Sequence, residues 1–176
     1  MIFAFNMIPT CWVHDDLNFR KAVQYAIDKD AINTAVYGDR AEIIDIYGSS
    51  TFTSRPEPGS YSTYERDMEK AKEYLEASNY DGREFNVIVP SGTVNEQAAQ
   101  VIQGTLYELG INMKITAVDS ATFFDTVRGT GDFDAQLVVN TSSVFDEDML
   151  FIYFTYEKYD LEAIDYPRGQ EMNDTL

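Results

Sequence analysis

Phe85-Asn86-Val87-Ile88-Val89-Pro90-Ser91-Gly92-Thr93-Val94-Asn95-Glu96 opens the stretch that decides the fold. It continues through Ala98, Val101, Ile102, Leu106 and Leu109 to Gly110, then Asn112-Met113-Lys114-Ile115-Thr116-Ala117-Val118. The apolar run at 85–89 reads as a strand, broken by Pro90. Thr93 and Glu96 have the spacing of a capping box, in which hydroxyl and carboxylate close each other's free N–H groups. The apolar residues that follow recur every three to four positions, the period of a helix with one buried stripe. Gly110 is a natural helix stop. Residues 112–118 read as a second strand.

Working outward, Asp119 or Ser120 caps a short helix around Phe123, Phe124 and Val127, which Gly129-Thr130-Gly131 ends. Asp134-Ala135-Gln136-Leu137-Val138-Val139-Asn140 reads as a further strand. Strand, helix, strand, helix, strand implies right-handed crossovers and mainly parallel pairing. The continuous apolar runs at 87–89 and 137–139 belong to strands covered on both faces. The expectation is an α/β domain of three layers, a mainly parallel sheet with helices on both faces. The strands at 85–89 and 134–140 would lie side by side inside it and open onto one rim.

Toward the amino terminus, Ile2 to Met7 reads as a buried strand and Ile8 to Asp15 as a loop. One helix is expected from Asp16 to Tyr37, with Phe19, Val23, Ala26, Ile27 and Ala31 on one side and a stop at Gly38. From Asp39 to Tyr64 the periodicity fades into a long connection rich in Ser, Pro and Gly. A further helix starts at the N-cap Asp67 and runs to Ala77, with Asn79 as a left-handed cap and Tyr80 folding back on the last turn. Residues 156–176 are weakly specified, and Pro167-Arg168-Gly169 breaks them.

The 176 residues suit one domain or little more, and 44% hydrophobic residues supply a core. A formal net charge of −17 argues against nucleic acid or an anionic membrane surface as partner. The single cysteine, Cys11, excludes an intrachain disulfide and a Cys-rich metal cluster. The longest apolar run, Met149 to Phe154, is far shorter than the roughly 20 residues of a membrane span. No basic-then-apolar signal opens the chain.

Phe5-Asn6-Met7 followed by Asp16-Leu17-Asn18-Phe19-Arg20-Lys21-Ala22-Val23-Gln24-Tyr25-Ala26-Ile27-Asp28-Lys29-Asp30-Ala31-Ile32 resembles the extracellular solute-binding proteins of peptide-type (oligopeptide, dipeptide, nickel) ABC importers. Asp67 to Leu75 with Asn79-Tyr80 resembles that family's "DPEKAKxLL…AGY" segment, with Met68 in place of proline and Asn79 in place of glycine. Gln103 to Met113 is similar to its helix-to-strand junction, and Asp119, Phe123 and Asp132-Phe133-Asp134 follow at suitable spacings. The resemblance spans about Phe5 to Phe151. It implies one lobe, the C-terminal one, of a type II periplasmic-binding-protein-like fold. On this reading residues 1–155 form the lobe, the loop at 39–64 reaches toward a missing lobe, and 156–176 is a truncated tail. It implies substrate binding for ABC import rather than catalysis, no cofactor, a peptide or other small polar solute as ligand, and a membrane permease as partner of the whole protein. It also implies an extracellular or periplasmic, lipid-anchored setting whose targeting segment is not in this chain.

In open α/β sheets ligands bind beyond the carboxyl ends of the strands. Asn6 ends the first strand; Ser91, Gly92 and Thr93 follow the second; Asn140, Thr141, Ser142 and Ser143 follow the last. All are small and polar, suited to an extended polar ligand. Peptide-binding relatives carry an aspartate after this last strand, opposite the peptide's α-amino group. Here alignment places Ser143, and a hydroxyl is no substitute for a carboxylate against an ammonium; Asp146 or Asp148 would have to take over.

His14 is the only histidine. No second histidine, HExxH or Cys pair accompanies it, so no metal ligand or catalytic residue is assigned. Asp146-Glu147-Asp148 is too short for a calcium loop and lacks its glycine. Gly129-x-Gly131 is no phosphate cradle. Two other readings remain open: a sensory or interaction domain using the same fold, and a hydrolase built on carboxylates such as Asp146 and Asp148.

Overall fold

The structure, a computed structural model, describes residues 1–44, 57, 59–60 and 63–139. The chain divides into two compact units, Met1–Ile43 with Tyr64–Asn140, and Ile44–Thr63 with Thr141–Leu176. The described elements belong to the first.

Four strands, β1 (Ile2–Phe5), β2 (Phe85–Pro90), β3 (Met113–Val118) and β4 (Ala135–Val138), form one sheet in the order β1-β4-β2-β3. β2 runs parallel to both neighbours, pairing Phe85 with Met113 through Pro90 with Val118, and Val87 and Ile88 with Ala135 and Gln136. β2 and β4 are thus adjacent inner strands, as their apolar runs require. Pro90 does not break β2 but closes it. It stands past Ile88, the last residue of β2 paired with β4, where the ladder asks for no N–H.

β1 departs from the parallel expectation. It pairs antiparallel with β4, Ile2 opposite Val138 and Phe5 opposite Ala135. Asn6 therefore lies at the amino-terminal rim of β2 and β4, not with the other strand ends. Its side chain is buried and structural. Nδ2 donates to the carbonyls of Gly131 (2.9 Å) and Phe133 (2.7 Å), and Oδ1 accepts from the Ile8 N–H.

Where one helix was expected between Asp16 and Tyr37 there are two. α2 (Leu17–Ala26) stops because Ile27 turns extended, with φ −61° and ψ 121°, while staying buried. Asp28 then caps a new start, accepting from Ala31 N–H, and α3 (Lys29–Ile32) widens into a π turn at Asn33–Tyr37 that ends at Gly38. The loop before α2 also holds a short helix, α1 (Trp12–Asp15), whose last carbonyls are taken by the Arg20 guanidinium.

α4 (Met68–Glu76) packs on α2 and starts at Asp67 as read. Asn79 is not left-handed; Asp39 is the only non-glycine residue with positive φ among the described residues. Instead the Asn79 N–H donates to Asp16 Oδ2 at 2.8 Å, while Asp16 Oδ1 caps α2 at Phe19 N–H. α5 (Val94–Glu108) ends in a Schellman turn. Gly110 takes φ 89°, and the Ile111 and Gly110 N–H groups reach the Leu106 and Tyr107 carbonyls. α6 (Ser120–Asp125), capped by Asp119, runs into a second π turn at Thr126–Thr130.

The two faces of the sheet are covered unequally. On one, Phe85, Val87, Val89, Ala135 and Leu137 meet Phe19, Val23 and Ala26 of α2 and Ala98, Ile102 and Leu106 of α5. Phe19 sits among Trp12, Tyr80 and Phe85, with ring centroids 4.6 to 5.1 Å away. On the other, a small cluster of Ile88, Phe123 and Phe133 lies under α6. Helices therefore flank both faces, and β2, buried on both, explains its unbroken apolar run.

Candidate functional site: the carboxyl rim of the sheet

β2, β3 and β4 are parallel, so their carboxyl ends open on one rim. Two helices start there, α5 after β2 and α6 after β3. Each turns its first N–H groups and the positive end of its dipole toward this rim. The turns that precede them satisfy several of these donors from within the chain.

The turn between β2 and α5 holds the sequence-predicted Ser91, Gly92 and Thr93. Ser91 and Gly92 are exposed, and Gly92 has φ 68°. The Ser91 N–H extends the ladder to the Val118 carbonyl at 2.7 Å. The expected capping box forms with shifted partners. Thr93 Oγ1 accepts from the Asn95 N–H at 3.3 Å instead of from Glu96, and Glu96 Oε2 accepts from the Gly92 N–H at 2.9 Å instead of from Thr93. Thr93 Oγ1 also donates to the Pro90 carbonyl at 2.7 Å. The hydroxyl of Thr93 is therefore engaged in holding the turn. At the start of α6, Asp119 accepts from the N–H groups of Ala121 and Thr122 and from the Thr122 hydroxyl. The bond from that hydroxyl, then the backbone N–H, holds its carboxyl below the usual range.

Asn140, Thr141, Ser142, Ser143, Asp146 and the alternative Asp148 lie outside the described residues, as does most of the connection at 39–64. β4, which leads into the first group, runs toward the same rim as Ser91–Thr93. Asn6 is on the other rim, as shown above.

Sequence reasoning placed Glu96 in this turn but with another partner, and it missed Asn95, which is buried, only 4% exposed, at the foot of the turn. A signal for Asn95 was present. It stands three, four and seven positions before Ala98, Ala99 and Ile102, on the buried stripe of α5, where a polar residue needs a reason.

Elsewhere, His14 Nδ1 lies 2.6 Å from the carboxylate of its neighbour Asp15, on an exposed helix end. Among the described residues no three His, Cys, Asp or Glu side chains group as metal ligands. A shallow depression of about 360 Å³ runs beside Gln103, Gly104 and Tyr107 to Met113, at the amino end of β3 and away from the carboxyl rim. No helix among the described residues is long and apolar enough to cross a membrane.

A mixed sheet flanked by helices, with a polar rim at its carboxyl ends, is an α/β architecture consistent with the periplasmic-binding-protein-like fold. The chain belongs to the bacterial extracellular solute-binding proteins, family 5 (middle), whose pattern matches residues 2–160. Comparison with curated proteins gives no match. Among solved structures, the fold is similar to the oligopeptide-binding protein AppA of Bacillus subtilis, in complex with a nonapeptide (TM-score 0.77, 21% identity). It is similar to NikA of Brucella suis in complex with Fe(III)-EDTA (TM-score 0.78, 18% identity). It is also similar to the ABC transporter-associated DppA of Helicobacter pylori in complex with the peptide STSA (TM-score 0.74, 23% identity). The match covers 98%, 98% and 95% of this chain but only 37%, 37% and 31% of theirs. The chain thus spans about a third of the length of these structures.

Proposed function

We propose that this chain is one lobe of a solute-binding protein that delivers a peptide or similar small polar solute to an ABC importer, and that it does no catalysis. The observation that carries the reading is the parallel pairing of β2 and β4, which brings Ser91–Thr93 and the carboxyl end of β4 to a single rim. Family membership and the part of each relative that the chain covers support it. In this proposal residues 1–155 form the lobe, and residues 156–176 lead out of it. Asn140–Ser143, Ser91–Thr93 and Asp146 face the solute. Ser143, standing where an amine-pairing aspartate is expected, shifts charge recognition to Asp146.

The mechanism is hinge closure. A second lobe closes over the rim, buries the solute and presents the closed form to the permease. The whole protein works outside the cytoplasmic membrane, held there by a lipid anchor.

One lobe supplies half the contacts. Calorimetry over a panel of peptides, sugars and metal chelates should show tight binding by the two-lobed protein and none by the 176-residue chain. Tight binding by the chain alone would overturn the lobe reading.

A further inference from the structure

We infer that the depression on the outer face of α5 is a second binding site, and that it takes a neutral saccharide. It lies away from the carboxyl rim and stands apart from the reading of that rim.

Gly104 gives the first reason. It stands inside α5, where glycine is less favourable than alanine. A crowded neighbour often explains such a residue. Here an added Cβ would meet nothing within 4 Å, so packing supplies no reason. Gly104 is exposed and lines the depression of about 360 Å³. Positions 100, 103, 104 and 107 share one helix face, so the missing side chain lowers the surface between Gln100 and Tyr107. The volume falls at the lower end of the roughly 300–1,000 Å³ of small-molecule sites.

The lining gives the class of ligand. Tyr107 is 80% exposed, and no hydrogen bond or ring contact engages it among the described residues. The side chains of Gln100 and Asn112 are likewise unengaged there. Gln103 is fixed, because its Nε2 donates to the Met113 carbonyl at 2.9 Å, and Oε1 is left as an acceptor. None of the lining residues is charged, in a chain of net charge −17. A pyranose matches this set. Its C–H face packs on an open aromatic ring, and its adjacent hydroxyls each ask for a donor and an acceptor, which a carboxamide supplies together. An ion finds no counter-charge. An extended peptide finds the backbone already used at this end of β3, the edge strand. The Met113 N–H donates to the Ile111 carbonyl, and the Met113 carbonyl is taken by Gln103.

The test is an NMR titration of the isotopically labelled chain with glucose, N-acetylglucosamine, cellotetraose and chitotetraose, and with tri-alanine. At least one saccharide should shift the amides of Gly104, Tyr107 and Asn112 with a dissociation constant of about 1–10 mM, because a shallow, open site buries little of its ligand. Binding so weak is distinct from the tight binding that would overturn the lobe reading. A tetramer that binds more tightly than its monomer identifies a glycan chain as the source, and equal binding identifies the free sugar. Gly104→Ala should raise the melting temperature yet weaken saccharide binding at least about fivefold, and Tyr107→Ala should abolish the shifts. The opposite signs in Gly104→Ala separate a binding role from a folding role. Absence of shifts at these amides with all four saccharides, equal shifts with tri-alanine, shifts unchanged in either variant, or a melting temperature that fails to rise in Gly104→Ala overturns the inference. None of these outcomes bears on the carboxyl rim.

Discussion

Asp16 joins two segments with one buried carboxylate. One oxygen caps α2 and the other holds Asn79 beyond the end of α4. Asp16→Ala removes both acceptors and leaves two N–H groups unpaired. It should lower stability by about 2–3 kcal/mol, read from urea melts, and Asp16→Asn by about half as much. Cys11 shows how a residue's surroundings decide its chemistry. Burial, with the Asp134 carboxylate 3.5 Å from its sulfur, pushes the thiol up to about 11. Alkylation by iodoacetamide at pH 8 should therefore be on the order of a hundredfold slower than for an exposed cysteine, because the thiolate is the reacting form. The rate should climb steeply above pH 10. Neither effect was legible in sequence. Asp16 looked like a helix start, and the partner that makes it matter lies 63 positions away.

At the scale of elements, the helices after Asp67 and Thr93 were readable from start to stop, and the course of the chain over 16–37 was not. Asp67 and Asp119 cap α4 and α6 as their residue types require. Asp67 is held below the ordinary carboxylate range first by the Lys70 backbone N–H, and Asp119 first by the Thr122 hydroxyl. In the turn before β2, the Arg83 guanidinium does the same for Asp81. Their folded values lie below the unfolded value of about 4. The stability they contribute is complete above that pH and is lost as pH falls through the folded values. Thermal melts followed by circular dichroism should be flat from pH 7 to about 5 and decline from about pH 4 downward. The single helix expected over 16–37 failed because a helical stripe and a capping aspartate compete at Ile27–Asp28. Period alone does not show that Asp28 starts afresh. Two glycines in the left-handed region separate backbone cost from packing. Gly110→Ala meets open space and should cost about 1 kcal/mol. Gly131→Ala also drives a Cβ to 2.5 Å from Ile8 Cδ1 and should cost more, with Ile8→Val recovering part of the difference in the same urea assay.

For the first compact unit taken whole, the unequal burial on the two sheet faces sets a gradient of stability. Phe19 is fully buried within the aromatic cluster, and Phe19→Ala should cost about 3–5 kcal/mol by denaturant titration. β2 is a central strand covered on both faces, whereas β3 lies at the sheet edge, with α6 over only a small cluster. Native-state hydrogen exchange should find the amides of Val87 to Val89 slowest and those of α6 and its π turn much faster. If α6 exchanged as slowly as β2, the unequal cover would not be the governing feature.

The sequence by itself determined the element types from Phe85 to Val139, the adjacency and shared direction of β2 and β4, and the family. Those follow from local period, from turn residues and from the handedness that links strand to helix to strand. Only the tertiary structure decided the direction of β1. β1 pairs with β4, the strand farthest from it in sequence, so no short crossover fixes its direction, and antiparallel pairing carries Asn6 to the far rim. Tertiary structure likewise decided which polar groups on the carboxyl rim are used up. Thr93 looked available in sequence, yet its hydroxyl is bound on both sides, while Asn95, hidden on an apolar stripe, is left with an acceptor unmet. A hydrogen bond is settled by where its partner comes to rest, and that depends on the packing of the whole sheet.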